Sequence, residues 1–160
     1  KIYISADSLD QLFCQKLGVF VTLTKKSNLR GCIGHLQPVQ ALYQDVIDNA
    51  INAAFYDPRF PALSIEELTQ IKIEISVLST AKTLLYNSTQ DLLNQLNPQQ
   101  DGVIISYKKQ VATFLPQVWE ELDSKELFLS HLCVKAGLDS KEWQKGTLQV
   151  QTYQVEKFSE

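Results

Sequence analysis

The stretch NLRGCIGHL, residues 28–36, combines a thiol with the most permissive backbone residues. Cys32 has Gly31 before it and Gly34 two positions after it, and Arg30 lies two positions before it. A thiol becomes a nucleophile when cationic neighbours or exposed amide groups stabilise its thiolate. Because glycines permit positive φ angles and close approach, the pattern predicts a bend that presents Cys32. The same N–H groups, together with Arg30, are suited to binding an anion.

Cys32 has two other interpretations. Free cysteine is among the most buried residue types, so this side chain could be a small packing residue. It could also join His35, His131 and Cys133 in a zinc site. That arrangement lacks the usual ligand spacings, and His131 and Cys133 would lie about 200° apart on a helix. We therefore predict no metal site and retain the packing and reactive interpretations.

Arginine is rare in this chain, with two arginines among 15 lysine and arginine residues. Arg30 lies in the first motif and Arg59 in the second, DPRFP. The planar guanidinium binds carboxylates and phosphates through paired hydrogen bonds, so both arginines are candidates for binding an anionic group. Asp57 is a further ligand-binding candidate. For Arg59 we favour the alternative of a structural ion pair with Asp57 or Glu74.

The elements that must position these residues follow from the hydrophobic pattern. Residues 18–24, GVFVTLT, are a β-branched and aromatic run that predicts a strand, and KKSN after it predicts a turn. Apolar residues at helical spacing predict a helix from Pro38 through residue 54. Pro58 and Pro61 end that helix, so DPRFP is expected to form a rigid turn directly after it.

A second predicted strand carries Glu74, the remaining candidate site residue. Ser64 and Glu67 have the form of a capping box, and residues 71–78, IKIEISVL, alternate strictly after it. Such alternation predicts a strand with one face in the core, and it puts Glu74 on the polar face.

The second half of the chain predicts further mixed structure. Residues 88–96 favour a short helix, 102–107 and 111–116 a hairpin with a three-residue loop, and a later helix is expected to end at Gly137. An alternating run over 147–158 predicts a closing strand. Because no strict βαβ alternation occurs, we predict an α+β fold with a mostly antiparallel sheet and flanking helices.

Composition limits the class of protein. The chain has 160 residues, 44% of them hydrophobic, and a net charge of -3 with dispersed lysines, which argues for one globular domain and against nucleic-acid binding. No segment approaches the ~20 apolar residues of a membrane span.

Three cysteines without a signal-type start predict a cytoplasmic, reducing location. No phosphate loop, dinucleotide glycine pattern or Ser/His/Asp signature occurs, so no cofactor is predicted.

Six segments taken in order, GVFVTL, LRGCIGHL, NAINAAFYDPRFP, IEISVL, ATFLPQVW and LCVKAGL, resemble the AMMECR domain family. Its prokaryotic members are called AmmeMemoRadiSam system protein A. The resemblance runs from about Gly18 to the C-terminus, and LRGCIG followed by DPRFP is its most specific part. It implies two unequal lobes with a cleft between them, the larger built from both ends of the chain and the smaller within 80–120. It also implies Memo-type and radical-SAM partners, but no established reaction.

Two segments depart from the family pattern. Residues 1–17 carry only a weak version of the helix that usually precedes the first strand, so this helix is predicted to be truncated or divergent. WEELDSK stands where a glycine-tryptophan turn is expected, and it leaves the start of the following helix unspecified.

Three functions are compatible with these residues. The first is an enzyme in which Cys32 is the nucleophile or redox thiol and Glu74 orients a group or moves a proton. In it Arg30 and Arg59 bind an anionic substrate. The other candidate ligand contacts are Gly31, Gly34 and Asp57. The second is a non-catalytic adaptor that holds a peptide or small anionic ligand, presented by a Memo-type or radical-SAM partner. The third is a purely structural role for the signature.

Overall fold

The computed structural model describes residues 10–160, and these form two compact units. The first unit comprises the described residues up to Ser79 together with Glu156–Glu160, and the second comprises Thr80–Val155. Each unit is built around a four-stranded sheet with antiparallel neighbours, and helices accompany both sheets. The predicted α+β class with mostly antiparallel pairing is confirmed.

The first unit carries both motifs. Its elements are α1 (Gln11–Cys14), β1 (Gly18–Lys25), β2 (Asn28–His35), α2 (Leu42–Phe55), a 3-10 helix (Ile65–Gln70), β3 (Ile71–Leu78) and β8 (Val155–Ser159). The strand order is β2-β1-β3-β8, so β2 is an edge strand. Helix α2 packs on β1 and β2, and the core between them contains Val21, Leu23, Ala53 and Ala54.

A tight turn sets the register of the motif strand. Lys26 and Ser27 have φ angles of 50° and 65°, as a two-residue type I′ hairpin loop requires. This turn matches the expected one at KKSN, and it brings Thr22 on β1 opposite Cys32 on β2. On the other side of β1, Thr22 is opposite Glu74 on β3.

The termini of α2 follow from the prolines and the capping residues. The helix begins at Leu42, four residues after the expected start at Pro38, and ends at Phe55 before Pro58. The predicted capping box of Ser64 and Glu67 is present and starts the 3-10 helix. Within α2 the buried side includes two polar residues, Asp45 and Asn49.

The second unit contains β4 (Lys82–Leu84), α3 (Thr89–Gln95), β5 (Gly102–Tyr107), β6 (Gln110–Phe114), a 3-10 helix (Pro116–Glu120), α4 (Lys125–Lys135), a 3-10 helix (Glu142–Lys145) and β7 (Gln149–Tyr153). Its sheet has the order β4-β7-β5-β6. Trp119 stacks on Phe128 with ring centroids 3.6 Å apart in the core. Ser124 caps α4, which ends before Gly137 as predicted.

Two expectations for the second half need correction. Tyr107 pairs with Gln110, so the β5–β6 loop has two residues rather than three, and Lys108 adopts a positive φ of 55° within it. The final alternating run forms two strands instead of one, because the chain leaves one sheet after Tyr153 and joins the other at Val155. The predicted N-terminal helix falls partly outside the described residues, which contain only the short α1 there.

Candidate functional site

Cys32 lies in the middle of edge strand β2, and the second motif covers its free backbone groups. The Cys32 N–H donates to Asp57 Oδ2 at 2.9 Å, and the Cys32 carbonyl accepts from Arg59 Nη2 at 3.0 Å. Side chains of the DPRFP turn therefore take the place that a neighbouring strand would occupy. This arrangement satisfies a backbone that would otherwise be an open sheet edge.

Asp57 and Arg59 form the ion pair that was one interpretation of the sequence. Arg59 Nε donates to Asp57 Oδ1 at 2.9 Å and Nη2 to Oδ2 at 2.7 Å, while the Asp57 side chain is 1% exposed. The Arg59 guanidinium, with the Cys32 N–H, holds the pKa of Asp57 well below its usual range. The pKa of Arg59 is raised, mainly by its hydrogen bond to Asp57, with a smaller contribution from the Cys32 side chain.

Arg30 is neutralised inside the same unit. Its Nε and Nη2 atoms each donate to the Glu67 carboxylate at 3.0 Å, and Nη2 also donates to the Pro61 carbonyl at 2.9 Å. Lys25 binds the same carboxylate at 3.0 Å. Hydrogen bonds from Arg30, the Ser64 N–H and Lys25 lower the pKa of Glu67 to about 2. The buried Arg30 side chain thus joins β2 to the 3-10 helix.

The Cys32 thiol is half-buried, and it accepts a hydrogen bond from a residue that the sequence did not single out. Thr22 Oγ1 donates to Cys32 Sγ at 3.3 Å across the β1–β2 pairing. Thr22 is therefore the side-chain donor to this sulfur. Its role depends on the strand register, so no local sequence signal could have identified it.

Glu74 lies on the same face as Cys32 but two strands away. Thr22 stands between them on β1, and two strand spacings put the Cys32 and Glu74 backbones about 10 Å apart. Glu74 Oε1 forms an ion pair with Lys157 Nζ at 3.2 Å. The fold thus brings both candidates into one cross-strand row without bringing their side chains together.

The predicted bend at Cys32 is wrong. Residues 28–35 form a continuous strand, and neither Gly31 nor Gly34 has a positive φ. A Cβ on Gly31 would collide with the Ala53 carbonyl of α2, and one on Gly34 would collide with Phe20 and the backbone of β1. These glycines therefore permit close packing of β2 against its neighbours.

His35 contributes to a separate cluster. Because side chains alternate along a strand, Cys32 and His35 point to opposite faces of β2. His35 Nδ1 lies 2.9 Å from Asp45 Oδ1.

Within residues 10–160, no group of three or more His, Cys, Asp and Glu side chains is arranged to hold a metal ion. In the same range, no helix is both long enough and apolar enough to cross a membrane.

Comparison with known proteins tests the family resemblance of the chain. The AMMECR1 family model matches residues 2–158. The chain belongs to the AMMECR1 family. A relative from Methanothermobacter thermautotrophicus is 41% identical over 156 residues, covering 96% of this chain and 81% of the relative. A second AMMECR1-like relative, from Methanosarcina acetivorans, is 41% identical over 140 residues, covering 86% of this chain and 69% of the relative.

A solved structure shares the AMMECR1 fold described above. The crystal structure of an uncharacterized protein from Pyrococcus horikoshii superposes with a TM-score of 0.83 at 32% identity, covering all of this chain and 81% of that one. The resemblance of the chain to the AMMECR domain family is therefore confirmed by both sequence and fold. None of these relatives has a name that states a reaction.

Proposed function

We propose that this AMMECR1-family protein is an enzyme in which Cys32 is the nucleophile or redox thiol. The observation that carries the proposal is the hydrogen bond from Thr22 Oγ1 to Cys32 Sγ, on a strand whose free edge is held by Asp57 and Arg59. Neighbouring hydrogen-bond donors and cations are the groups that activate a cysteine nucleophile.

Arg59 is the group we assign to an anionic substrate. Its side chain is 53% exposed, and its guanidinium lies close enough to Cys32 for the thiol to affect its pKa. Since Asp57 already balances its charge, Arg59 would recognise a substrate through directed N–H donors more than through net charge. Arg30 is buried against Glu67, so in this proposal it supports the strand that carries Cys32.

Selective alkylation tests the proposal. The intact protein is treated with iodoacetamide at neutral pH, and the labelled peptides of the three cysteines are quantified by mass spectrometry over time. Cys32 is expected to react faster than the exposed Cys14, although Cys32 is less accessible. Cys133 is the buried control, because burial raises the pKa of its thiol. If Cys32 reacts no faster than Cys14, the thiol is not activated and the proposal fails.

The second candidate is an adaptor that acts with Memo-type and radical-SAM partners in the cytoplasm. It is favoured by the neutralised arginines, because Arg30 and Arg59 each have a carboxylate partner within the same unit. Guanidinium groups that already have carboxylate partners are suited to recognition through directed N–H donors without chemistry. Binding to a purified Memo-type protein should then be weakened by Arg59→Ala and unchanged by Cys32→Ala. Absence of binding to both partner classes would contradict this candidate.

A further inference from the structure

The pairing of β2 with β1 contains one extra residue on β2. Thr24 on β1 is opposite Leu29. The next residue along β1, Leu23, is opposite Gly31, so Arg30 has no partner on β1. An unpaired extra residue in an antiparallel pair is a β-bulge, which can re-aim the side chains that follow it. The bulge at Arg30 lies between the hairpin turn and the candidate thiol.

This bulge determines the face of β2 on which Cys32 lies. Counted from the turn without an extra residue, Cys32 would be opposite Val21, which is completely buried in the core that α2 covers. A shift of one residue moves every side chain of a strand to the other face. With the bulge, Cys32 is opposite Thr22, and Ile33 takes the place opposite Val21. The contact between Thr22 and the thiol thus depends on where the extra residue lies.

The Arg30 side chain binds the bulge to the 3-10 helix that precedes β3. Its Nε and Nη2 atoms donate to the two oxygens of Glu67, and Nη2 also donates to the Pro61 carbonyl. Glu67 in turn accepts from the Ser64 N–H and from Lys25 Nζ at the end of β1. Strand β2 has two glycines among its eight residues, and register is weakly specified in glycine-rich strands. An extra residue without these contacts can therefore move along the strand.

We propose that Arg30 is a positioning residue for Cys32. Its ion pair with Glu67 keeps the bulge on the turn side of Cys32 and thereby keeps the thiol opposite Thr22. If the bulge moved past Cys32, the thiol would face Val21 in the core. The inference rests on the proposed function, because the direction of the thiol matters for a reaction only if Cys32 reacts. It gives Arg30 a role that differs from the anion binding expected from the sequence.

A cross-strand disulfide reports the position of the bulge. The Cys32 N–H and carbonyl bond to Asp57 and Arg59, away from β1, so Cys32 and Thr22 form a non-hydrogen-bonded pair. The Cα atoms of such a pair are about 4.5 Å apart, which is within the range of a disulfide. A second thiol at position 22 can therefore be linked to Cys32 only in the bulged register.

Two reporter proteins are compared, each with Cys14→Ser to remove the exposed thiol. Thr22→Cys should form a disulfide with Cys32 under mild oxidation with copper phenanthroline, and Val21→Cys should not. Adding Arg30→Ala should remove this preference, with slower linkage to position 22 and new linkage to position 21. The linked peptides are quantified by mass spectrometry over time.

Deletion of Arg30 separates register from ion pairing. It removes the same ion pair as Arg30→Ala but also the extra residue, so Cys32 stays opposite Thr22 in a hairpin without a bulge. Linkage to position 22 should then be retained. Lys25→Ala is the matched control for charge, because it removes the other cation bound to Glu67 and leaves the bulge in place. It should also retain the preference for position 22.

Arg30→Lys keeps the charge but loses the paired donation to Glu67, and it gives the same comparison if Arg30→Ala does not fold. A preference for position 22 that is unchanged in the folded substituted protein overturns the proposal. Linkage to position 21 after deletion of Arg30 also overturns it. Disulfide trapping does not need an activated thiol, so its outcome is independent of the iodoacetamide rates that test the proposed function.

Discussion

At the scale of single residues, the reactivity that we propose for Cys32 depends on the hydroxyl group of Thr22. Thr22→Val keeps the branched side chain on β1 but removes the donor to Sγ. We expect alkylation of Cys32 to slow about tenfold, since a hydrogen bond to the thiolate is lost. The measurement is the rate of iodoacetamide labelling at neutral pH. Thr22→Ser, which retains a hydroxyl, is the control and should remain close to the original rate; equal slowing in both variants would contradict the assignment.

Glu67 gives a residue-scale prediction about pH. Its pKa falls from 4.5 to about 2 on folding, so the folded state favours the carboxylate. The corresponding stabilisation is present above pH 4.5 and is lost as the pH falls towards 2. Glu67→Gln should therefore reduce the pH dependence of the free energy of unfolding in this window, as followed by urea denaturation at several pH values. If Glu67→Gln leaves the pH dependence of the free energy of unfolding unchanged, the ion pair between Arg30 and Glu67 does not contribute to stability in this window.

The sequence identified part of this network and not the rest. Asp57 and Arg59 are two positions apart, so their ion pair could be anticipated from a local pattern. Glu67 is 37 residues from Arg30 and was recognised only as a capping residue. Asp45 and Asn49 were not identified, since the helix pattern was interpreted from its apolar residues alone. Partners that meet only through tertiary packing leave no local signal.

At the scale of elements, the contact between β2 and α2 depends on Gly31. Gly31→Ala would place a methyl group on the Ala53 carbonyl, so strand and helix would have to separate. We expect the free energy of unfolding to fall by about 1–3 kcal/mol, the usual cost of overpacking. Thermal or urea denaturation measures this change.

Gly137 offers a control of a different kind. A Cβ there meets no atom within 4 Å, but φ is +75°. Gly137→Ala should cost about 1–2 kcal/mol through backbone strain alone. Of the two substitutions, only Gly31→Ala should also weaken the packing of α2 on β2. Faster amide hydrogen exchange in that helix would show this. If both variants leave α2 exchange unchanged, close packing is not the reason for Gly31.

Hydrophobic periodicity predicted most elements but not their exact ends or partners. Strand β3 has the predicted extent, Ile71–Leu78, but its burial departs from the predicted alternation, since Ile73 is exposed and Ser76 is buried. The bend at Cys32 was predicted wrongly, because glycine permits both positive φ and close packing, and only the neighbouring helix distinguishes them. The final run was predicted as one strand, but its apolar residues change phase between Val150 and Tyr153, and the sheet to which it belongs changes between Tyr153 and Val155.

At the scale of the whole molecule, the order of motifs predicted the family and the α+β class. The predicted cleft and the boundaries of the two lobes stay predictions. All the site residues lie in the first unit, whose sheet is completed by residues from the end of the sequence. Periodicity could not reveal this closure, because nothing in the alternation of residues 155–159 specifies which edge they will join.

Removal of residues 156–160 tests that closure. It deletes most of β8, exposes β3 as an edge strand and leaves Glu74 without Lys157. An exposed edge is a template for pairing between chains, so we expect self-association in addition to lower stability. Light scattering after size-exclusion chromatography measures the association. Lys157→Ala in the full chain removes only the ion pair and should remain unassociated; a monomeric truncated protein would contradict the prediction.

The position of β8 also has a consequence for synthesis. On the ribosome the chain emerges from its amino end, so β1, β2 and β3 are available before any residue of the second unit. Their sheet cannot be completed until β8 has left the exit tunnel. The second unit, which is continuous in sequence, can fold during that interval. The strand that carries Cys32 therefore belongs to the unit whose sheet is completed later than the second unit can fold.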